Sequence, residues 1–319
     1  MGVIGSFDPW RSRMCTCPRK YSLSPYTGCS HKCLYCYISS YIPNPFEARP
    51  KKDFVKRLTF ELGKIDRRIP ICMASSSDPY TPIESKLGLT RETIKVLREY
   101  SARFLIVTKS DLVTRDIDLL KTCMATVSIT VTTLNDDDAK MLEPAAPKPT
   151  ERLRAIEMLR DHDIPCSARI DPIIPGLNSE DECLSRLVQR LAEAGVRHVT
   201  ASTYKVREDS FRRLIQTFPS LETTLNELYY RRGSRIGRAR YLPFNVRFRL
   251  IMKVRGEADK YGMSFASCRE GLSQLQNSVS CDSTHTIPER SESIAQDRPQ
   301  SRLFSHISAS PEAYLTSRP

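Results

Sequence analysis

From about residue 21 to about residue 204, short apolar runs alternate with segments whose apolar residues recur every three or four positions. The runs at 69–75, 103–108, 126–132, 166–170 and 198–203 have the length of strands. The segments at 54–65, 91–100, 115–122, 151–160 and 179–194 read as helices. Ile94 with Leu97, and Ile156 with Leu159, fall at helical spacing and predict faces that pack on a sheet. Ser179 followed by Glu182 has the form of a capping box opening the last helix. Strands alternating with helices imply parallel strands joined by right-handed crossovers. With 23–26 as a first strand there are about six such units, which predicts an α/β fold: a partial (β/α)6 barrel, open rather than closed.

Outside this region the periodicity changes. Residues 1–20 form a short irregular arm, 21–205 the core barrel, and 206–281 an α-rich extension with a basic centre. Residues 282–319 carry Ser, Thr, Pro and charge without period and read as a disordered tail. No apolar run approaches the length of a membrane span, and the first residues lack the basic and apolar regions of a secretory signal. A cytoplasmic protein with no membrane partner is expected. Eleven cysteines then belong to a reducing compartment, where thiols bind metal or sit buried. The net charge of +12 favours an anionic partner without identifying one.

The chemistry concentrates in YTGCSHKCLYCY (26–37), where Cys29, Cys33 and Cys36 follow the first candidate strand with C-x3-C-x2-C spacing. Three thiolates can wrap one face of a cubane and leave the fourth iron open to a small chelator. Structural zinc asks for four ligands, and His31, wedged between two of the cysteines, is poorly placed to complete that tetrahedron. The motif, with the surrounding SPYTGCSHKCLYCYISSY, resembles the radical S-adenosylmethionine (SAM) superfamily, in particular its spore photoproduct lyase-related branch. The resemblance implies a [4Fe–4S] cluster on Cys29, Cys33 and Cys36 whose open iron chelates SAM. It also implies an electron donor such as ferredoxin or flavodoxin. Reductive cleavage of the sulfonium then gives methionine and a 5′-deoxyadenosyl radical, which abstracts a hydrogen atom.

The resemblance continues at the strand ends. Tyr35 and Tyr37 flank the third cysteine and are implied to lie near the adenine or the radical. Ser76 and Ser77, in ASSSDPYTPIE (74–84), fall in the turn implied to meet the SAM ammonium group. Lys109 in VTKS and Arg169 in ARIDPIIPG are implied partners of its carboxylate, and Ser128 of its ribose. One departure stands out: Ser75 occupies the position where the lyase carries a hydrogen-donating cysteine. Cys72, an odd number of residues away, is expected on the opposite face of its strand. Spore photoproduct is therefore not the expected substrate.

Two further features lie outside the barrel. Cys15 and Cys17 before it, with Cys268 and Cys281 after it, offer a second metal site if the two ends meet. Residues 231–255 hold eight Arg, one Lys and no acidic residue, interleaved with Tyr241, Phe244 and Phe248. Arginines can pair with phosphates and aromatic rings can stack on bases. Val246, Leu250, Ile251 and Val254 form an apolar stripe that would dock on the barrel. The expected function is that of a radical SAM enzyme acting on DNA or RNA, with a protein or small-molecule substrate as the alternative. A reading of another class is a non-catalytic iron–sulfur or zinc protein that binds nucleic acid.

Overall fold

The computed structural model describes residues 2–7, 14–73 and 77–289. Its centre is an eight-stranded sheet in the order β1 (Ile4–Ser6), β2 (Tyr21–Leu23), β5 (Ile71–Met73), β6 (Phe104–Thr108), β7 (Ala125–Thr130), β8 (Cys166–Ile173), β9 (His198–Thr203) and β12 (Ser264–Ser267). Only β1 runs antiparallel to its neighbour; the other seven strands are parallel. A small ribbon, β3 (Tyr26–Thr27) with β4 (Arg49–Pro50), flanks the cysteine loop, and a hairpin, β10 (Ser234–Ile236) with β11 (Ala239–Tyr241), stands apart from the main sheet. The crossovers carry α1 (Phe54–Leu62), α2 (Glu84–Leu87), α3 (Leu89–Glu99), α4 (Ile117–Leu120), α5 (Asp136–Leu142), α6 (Pro149–Arg160) and α7 (Asp181–Ala194). Beyond β9 come α8 (Glu208–Thr217), α9 (Glu222–Asn226) and α10 (Phe244–Lys260).

Strand alternation decides what lines the barrel. Along β7, Val127 and Ile129 join the apolar core beneath the helices, while Thr126, Ser128 and Thr130 take the other face. In β8, Ala168 and Ile170 pack outward, and Arg169 and Asp171 line the interior cavity. β6 is apolar on both faces: Phe104 and Ile106 lie in the core, and Leu105 and Val107 line the cavity. The interior is thus hydroxyl-rich and charged, a lining suited to a polar occupant.

Two expectations are corrected. The extension is α-rich as expected, with α8, α9 and α10, and it also adds β12, which pairs with β9 as a seventh parallel strand, and the β10–β11 hairpin. Leu250, Ile251, Val254 and Ala258 of α10 are buried against β9, β12 and α7, as the apolar stripe requires. The tail does not begin at 282. Asp282, Ser283 and Thr284 are buried, and the segment crosses the inner face of the sheet: Ser167 donates to Ser283 Oγ (2.8 Å), Thr200 to the Cys281 carbonyl (2.9 Å), and Thr126 Oγ1 meets Thr286 Oγ1 at 2.8 Å. A Ser/Thr-rich segment without apolar period packs here because the surface receiving it is itself made of hydroxyls. The compact unit ends at Pro288, and residues 290–319 of the expected tail lie outside the described residues. Finally, Ser179 does not cap α7; its Oγ accepts from the Gly176 amide at 3.0 Å, and the helix opens at Asp181.

Candidate active site

The cysteine loop leaves β3 through Gly28, whose φ of +76° belongs to the left-handed region, and any Cβ there would collide with the Glu47 carbonyl. Backbone contacts then pin the loop. The Cys29 amide donates to the Pro45 carbonyl (2.8 Å), the Leu34 amide to the Leu142 carbonyl (2.9 Å), and the Ser77 hydroxyl to the Gly28 carbonyl. From α8, Arg213 donates to the Leu34 and Cys36 carbonyls at 3.2 and 3.1 Å and to Ser39 Oγ at 2.8 Å. The loop is clamped from the strand side and from the extension.

Inside the barrel lies one cavity of about 510 Å³, lined by Cys29, Cys33 and Cys36 together with Tyr35, Tyr37, Ser77, Lys109 and Arg169. Of the candidate residues, Ser128 lies just off this wall: it is buried, and its Oγ has no hydrogen-bond partner among the described residues. Ser75 and Ser76 lie outside the described residues. Burial raises all three thiols, Cys29 to about 12. Among the described residues no three His, Cys, Asp or Glu side chains gather around a point as a lone ion would need. The three thiols instead face one chamber from successive turns of the loop, an arrangement that fits a multi-iron cluster whose thiolates sit on different irons.

Two buried acids, which residue spacing alone did not single out, hold this arrangement. Asp78, at the start of the turn after β5, accepts from Thr108 Oγ1 (2.7 Å) and from the Tyr80 and Lys109 amides (2.9 and 2.8 Å), and faces His31 Nε2 at 3.3 Å. Burial alone would raise its carboxyl; His31, Thr108 and the Lys109 amide outweigh it and hold it below the usual carboxylate range. His31 thus anchors the loop to the second βα turn; its Nδ1 lies 3.1 Å from the Ala145 carbonyl. Glu143 receives the Tyr35 hydroxyl, pairs with the buried Arg152 and accepts from Thr132 Oγ1 at 3.2 Å. Arg152 in turn donates to the Pro147 and Thr130 carbonyls at 2.9 and 3.1 Å.

The cations in the cavity differ in their partners. Arg169 pairs with Asp171 at 2.6 Å and Lys205 with Glu270 at 2.8 Å. Lys109 has no carboxylate partner among the described residues and stands 5.4 Å over the Tyr35 ring, so its charge is available to an anionic ligand group. Burial would lower the Lys109 ammonium, but Cys33 and Glu143 raise it, and it stays charged. At the mouth, Tyr37 and Tyr41 stack with ring centroids 6.1 Å apart and exposures of 41% and 37%. Arg207 and Arg269 also line the cavity, and Arg238 of the hairpin turn lies near Arg207.

One sequence expectation fails here. Cys72 faces the cavity: Ile71 and Met73 of the same short strand go to the helical core, so the residue between them points inward. The chamber therefore does contain thiols beyond the loop, and the absence of a thiol at Ser75 no longer excludes a cysteine hydrogen donor.

An open α/β sheet of parallel strands carries a three-cysteine loop and, at its strand ends, charged groups around one polar chamber. The chain belongs to the radical SAM superfamily, whose family model matches residues 23–188. An uncharacterized protein of Mycobacterium tuberculosis is 28% identical over 265 residues, covering 77% of this chain and 76% of that protein. A radical SAM Nalpha-GlyT isomerase of Pseudomonas phage M6 is 24% identical over 257 residues, 77% of this chain and 53% of that one. The fold matches a spore photoproduct lyase variant with bound AdoMet and dinucleoside spore photoproduct. The TM-score is 0.62 and the identity 17%, over 80% of this chain and 78% of that one. Among the described residues no helix is long and apolar enough to cross a membrane.

Proposed function

We propose that Cys29, Cys33 and Cys36 hold a [4Fe–4S] cluster beside a SAM molecule, and that the enzyme acts on a nucleic-acid substrate admitted at the arginine-rich mouth. The observation that carries the cofactor reading is the meeting of three loop thiols and an unpaired Lys109 ammonium in one buried chamber. Bound there, the cluster and SAM supply one-electron cleavage of a sulfonium bond and hydrogen-atom abstraction. Lys109 binds the carboxylate of SAM, Ser77 and Ser76 meet its ammonium group, and Ser128 offers its unpartnered hydroxyl to the ribose. Tyr35, fixed by Glu143, holds the loop in register, and Tyr37 covers the chamber with Tyr41. Arg169 is the weaker candidate for the carboxylate, since Asp171 already neutralises it.

Support for a polyanionic substrate comes from the mouth. Arg207 and Arg269 line the cavity and Arg238 lies near Arg207, so several guanidiniums fall where a phosphate could meet them. Arg231, Arg232 and Arg235 are exposed on or just before the same hairpin, and the exposed Tyr37/Tyr41 pair offers a stacking surface. The basic run divides, however: Arg247 is buried and donates to the Leu242 carbonyl (3.0 Å), and Arg255 pairs with Asp259, so these serve the fold. Fluorescence anisotropy with single-stranded DNA and RNA over a salt series tests this reading. Binding should weaken by roughly 0.7–0.9 log units per contacted phosphate for each tenfold rise in salt. Reversing the charge of Arg231, Arg232, Arg235 and Arg238 should flatten that slope. Absence of binding at low salt would turn the reading to a protein or small-molecule substrate.

A further inference from the structure

The arm before β2 and the segment after β12 come together on the cavity floor, and each brings two cysteines. Cys17 and Cys281, 264 residues apart, have their Sγ atoms 3.3 Å from one another. Cys15 shares a hydrogen bond with Cys17, and Cys268, at the end of β12, lies within electrostatic reach of Cys15, Cys17 and Cys281. All four line the chamber, and none is in a disulfide. We propose that Cys15, Cys17, Cys268 and Cys281 bind a second metal centre, an iron–sulfur cluster on four thiolates, separate from the cysteine loop.

Three observations argue for it. Four thiols drawn from both ends of the chain line one chamber, Cys281 buried and Cys15, Cys17 and Cys268 half-buried, so they meet each other at a cavity wall rather than being spread through the apolar core. Polar and charged groups line the place: Lys20, paired with Asp282, lies beside Cys17, and Arg169 and Lys205, paired with Asp171 and Glu270, lie near Cys268, so thiolates there would sit among ion pairs rather than in an apolar wall. The surrounding chain is built to hold them. Thr200 donates to the Cys281 carbonyl (2.9 Å), Gln276 to Thr16 Oγ1 (3.0 Å), and the Cys268 amide to the Ala201 carbonyl (2.8 Å). The close Cys17–Cys281 pair suits two thiolates on one iron. Cys72 lines the same chamber but belongs to β5 rather than to the two terminal segments, and is not part of the proposed centre.

This centre stands independently of the role given to Cys29, Cys33 and Cys36, and the test separates the two. The Cys29→Ala/Cys33→Ala/Cys36→Ala variant and a Cys15→Ser/Cys17→Ser/Cys268→Ser/Cys281→Ser variant are each reconstituted anaerobically with ferrous iron and sulfide. Iron, acid-labile sulfide and zinc are then measured with Mössbauer spectra, and circular dichroism checks the fold. The triple variant should keep iron and sulfide at cluster stoichiometry, the quadruple variant should keep only the loop cluster, and the two contents should sum to the wild type. Should the quadruple variant not fold, the single Cys268→Ser variant replaces it: its Mössbauer spectrum should change in the floor component alone. A triple variant without iron overturns the proposal, as does a Cys17–Cys281 disulfide in protein isolated without oxygen. Zinc bound at one per chain by the triple variant overturns the iron–sulfur assignment.

Discussion

Replacing Glu143 by Gln should cost about 3 kcal/mol of stability and should loosen the cysteine loop at the same time. Glu143 and Arg152 are each 1% exposed, so the substitution leaves a guanidinium buried without its anion. Breaking a buried pair from one side costs about 3–5 kcal/mol, and the retained amide oxygen of Gln places the loss at the lower end. Tyr35→Phe removes one hydrogen bond to a charged acceptor and should cost about 1.5–3 kcal/mol. Because Tyr35 lies between Cys33 and Cys36, both variants should also take up less iron on reconstitution. The double variant Glu143→Gln/Arg152→Met removes both charges and should recover most of the loss, since an apolar replacement of a buried pair is often near neutral. Equilibrium urea denaturation of the apoprotein, followed by far-UV circular dichroism, gives the free energies. A Glu143→Gln protein within about 1 kcal/mol of wild type, or a double variant as unstable as the two singles added, would refute the argument.

Lys109→Ala should weaken SAM binding by roughly ten- to a hundredfold, equivalent to about 1.5–3 kcal/mol, while iron content stays unchanged; calorimetry on the reconstituted protein checks both. A pH dependence follows from His198, which is fully buried between Ser264 and Thr200. Burial, and then His285, lower its pKa from 6.5 to about 4. The unfolded chain therefore takes up the proton first, and stability that is complete above about pH 6.5 is lost as pH falls towards 4, by about 3 kcal/mol in all. His198→Gln should lose that part of the profile, seen as a smaller difference between unfolding free energies at pH 7 and pH 4.5; an unchanged difference would show that His198 titrates normally.

The strands and crossovers of residues 21–205 were legible because each parallel strand is a short apolar run followed by a helix with one apolar face. Boundaries shifted where chemistry interrupts the pattern: the first strand is Tyr21–Leu23 rather than 23–26, and β8 runs on to Ile173 past the Arg169–Asp171 pair. The cysteine loop was legible because its three cysteines fall within eight residues of sequence. Its supports were not. Asp78, Glu143, Arg152 and Arg213 reach the loop from distant elements, and no spacing rule links Tyr35 to a residue 108 positions away. The floor was misread for a related reason: residues 281–286 carry no apolar periodicity, and only the hydroxyl-bearing inner face of β7, β8 and β9 makes them a buried segment.

The central claim is tested most directly by SAM cleavage. The wild-type protein, reconstituted anaerobically and reduced with dithionite, should convert SAM to 5′-deoxyadenosine and methionine, and the Cys29→Ala/Cys33→Ala/Cys36→Ala variant should form neither above background. Chromatography with mass detection reads both products. Cleavage that survives in the triple variant, or a fully iron-loaded wild type that leaves SAM intact, would contradict the account.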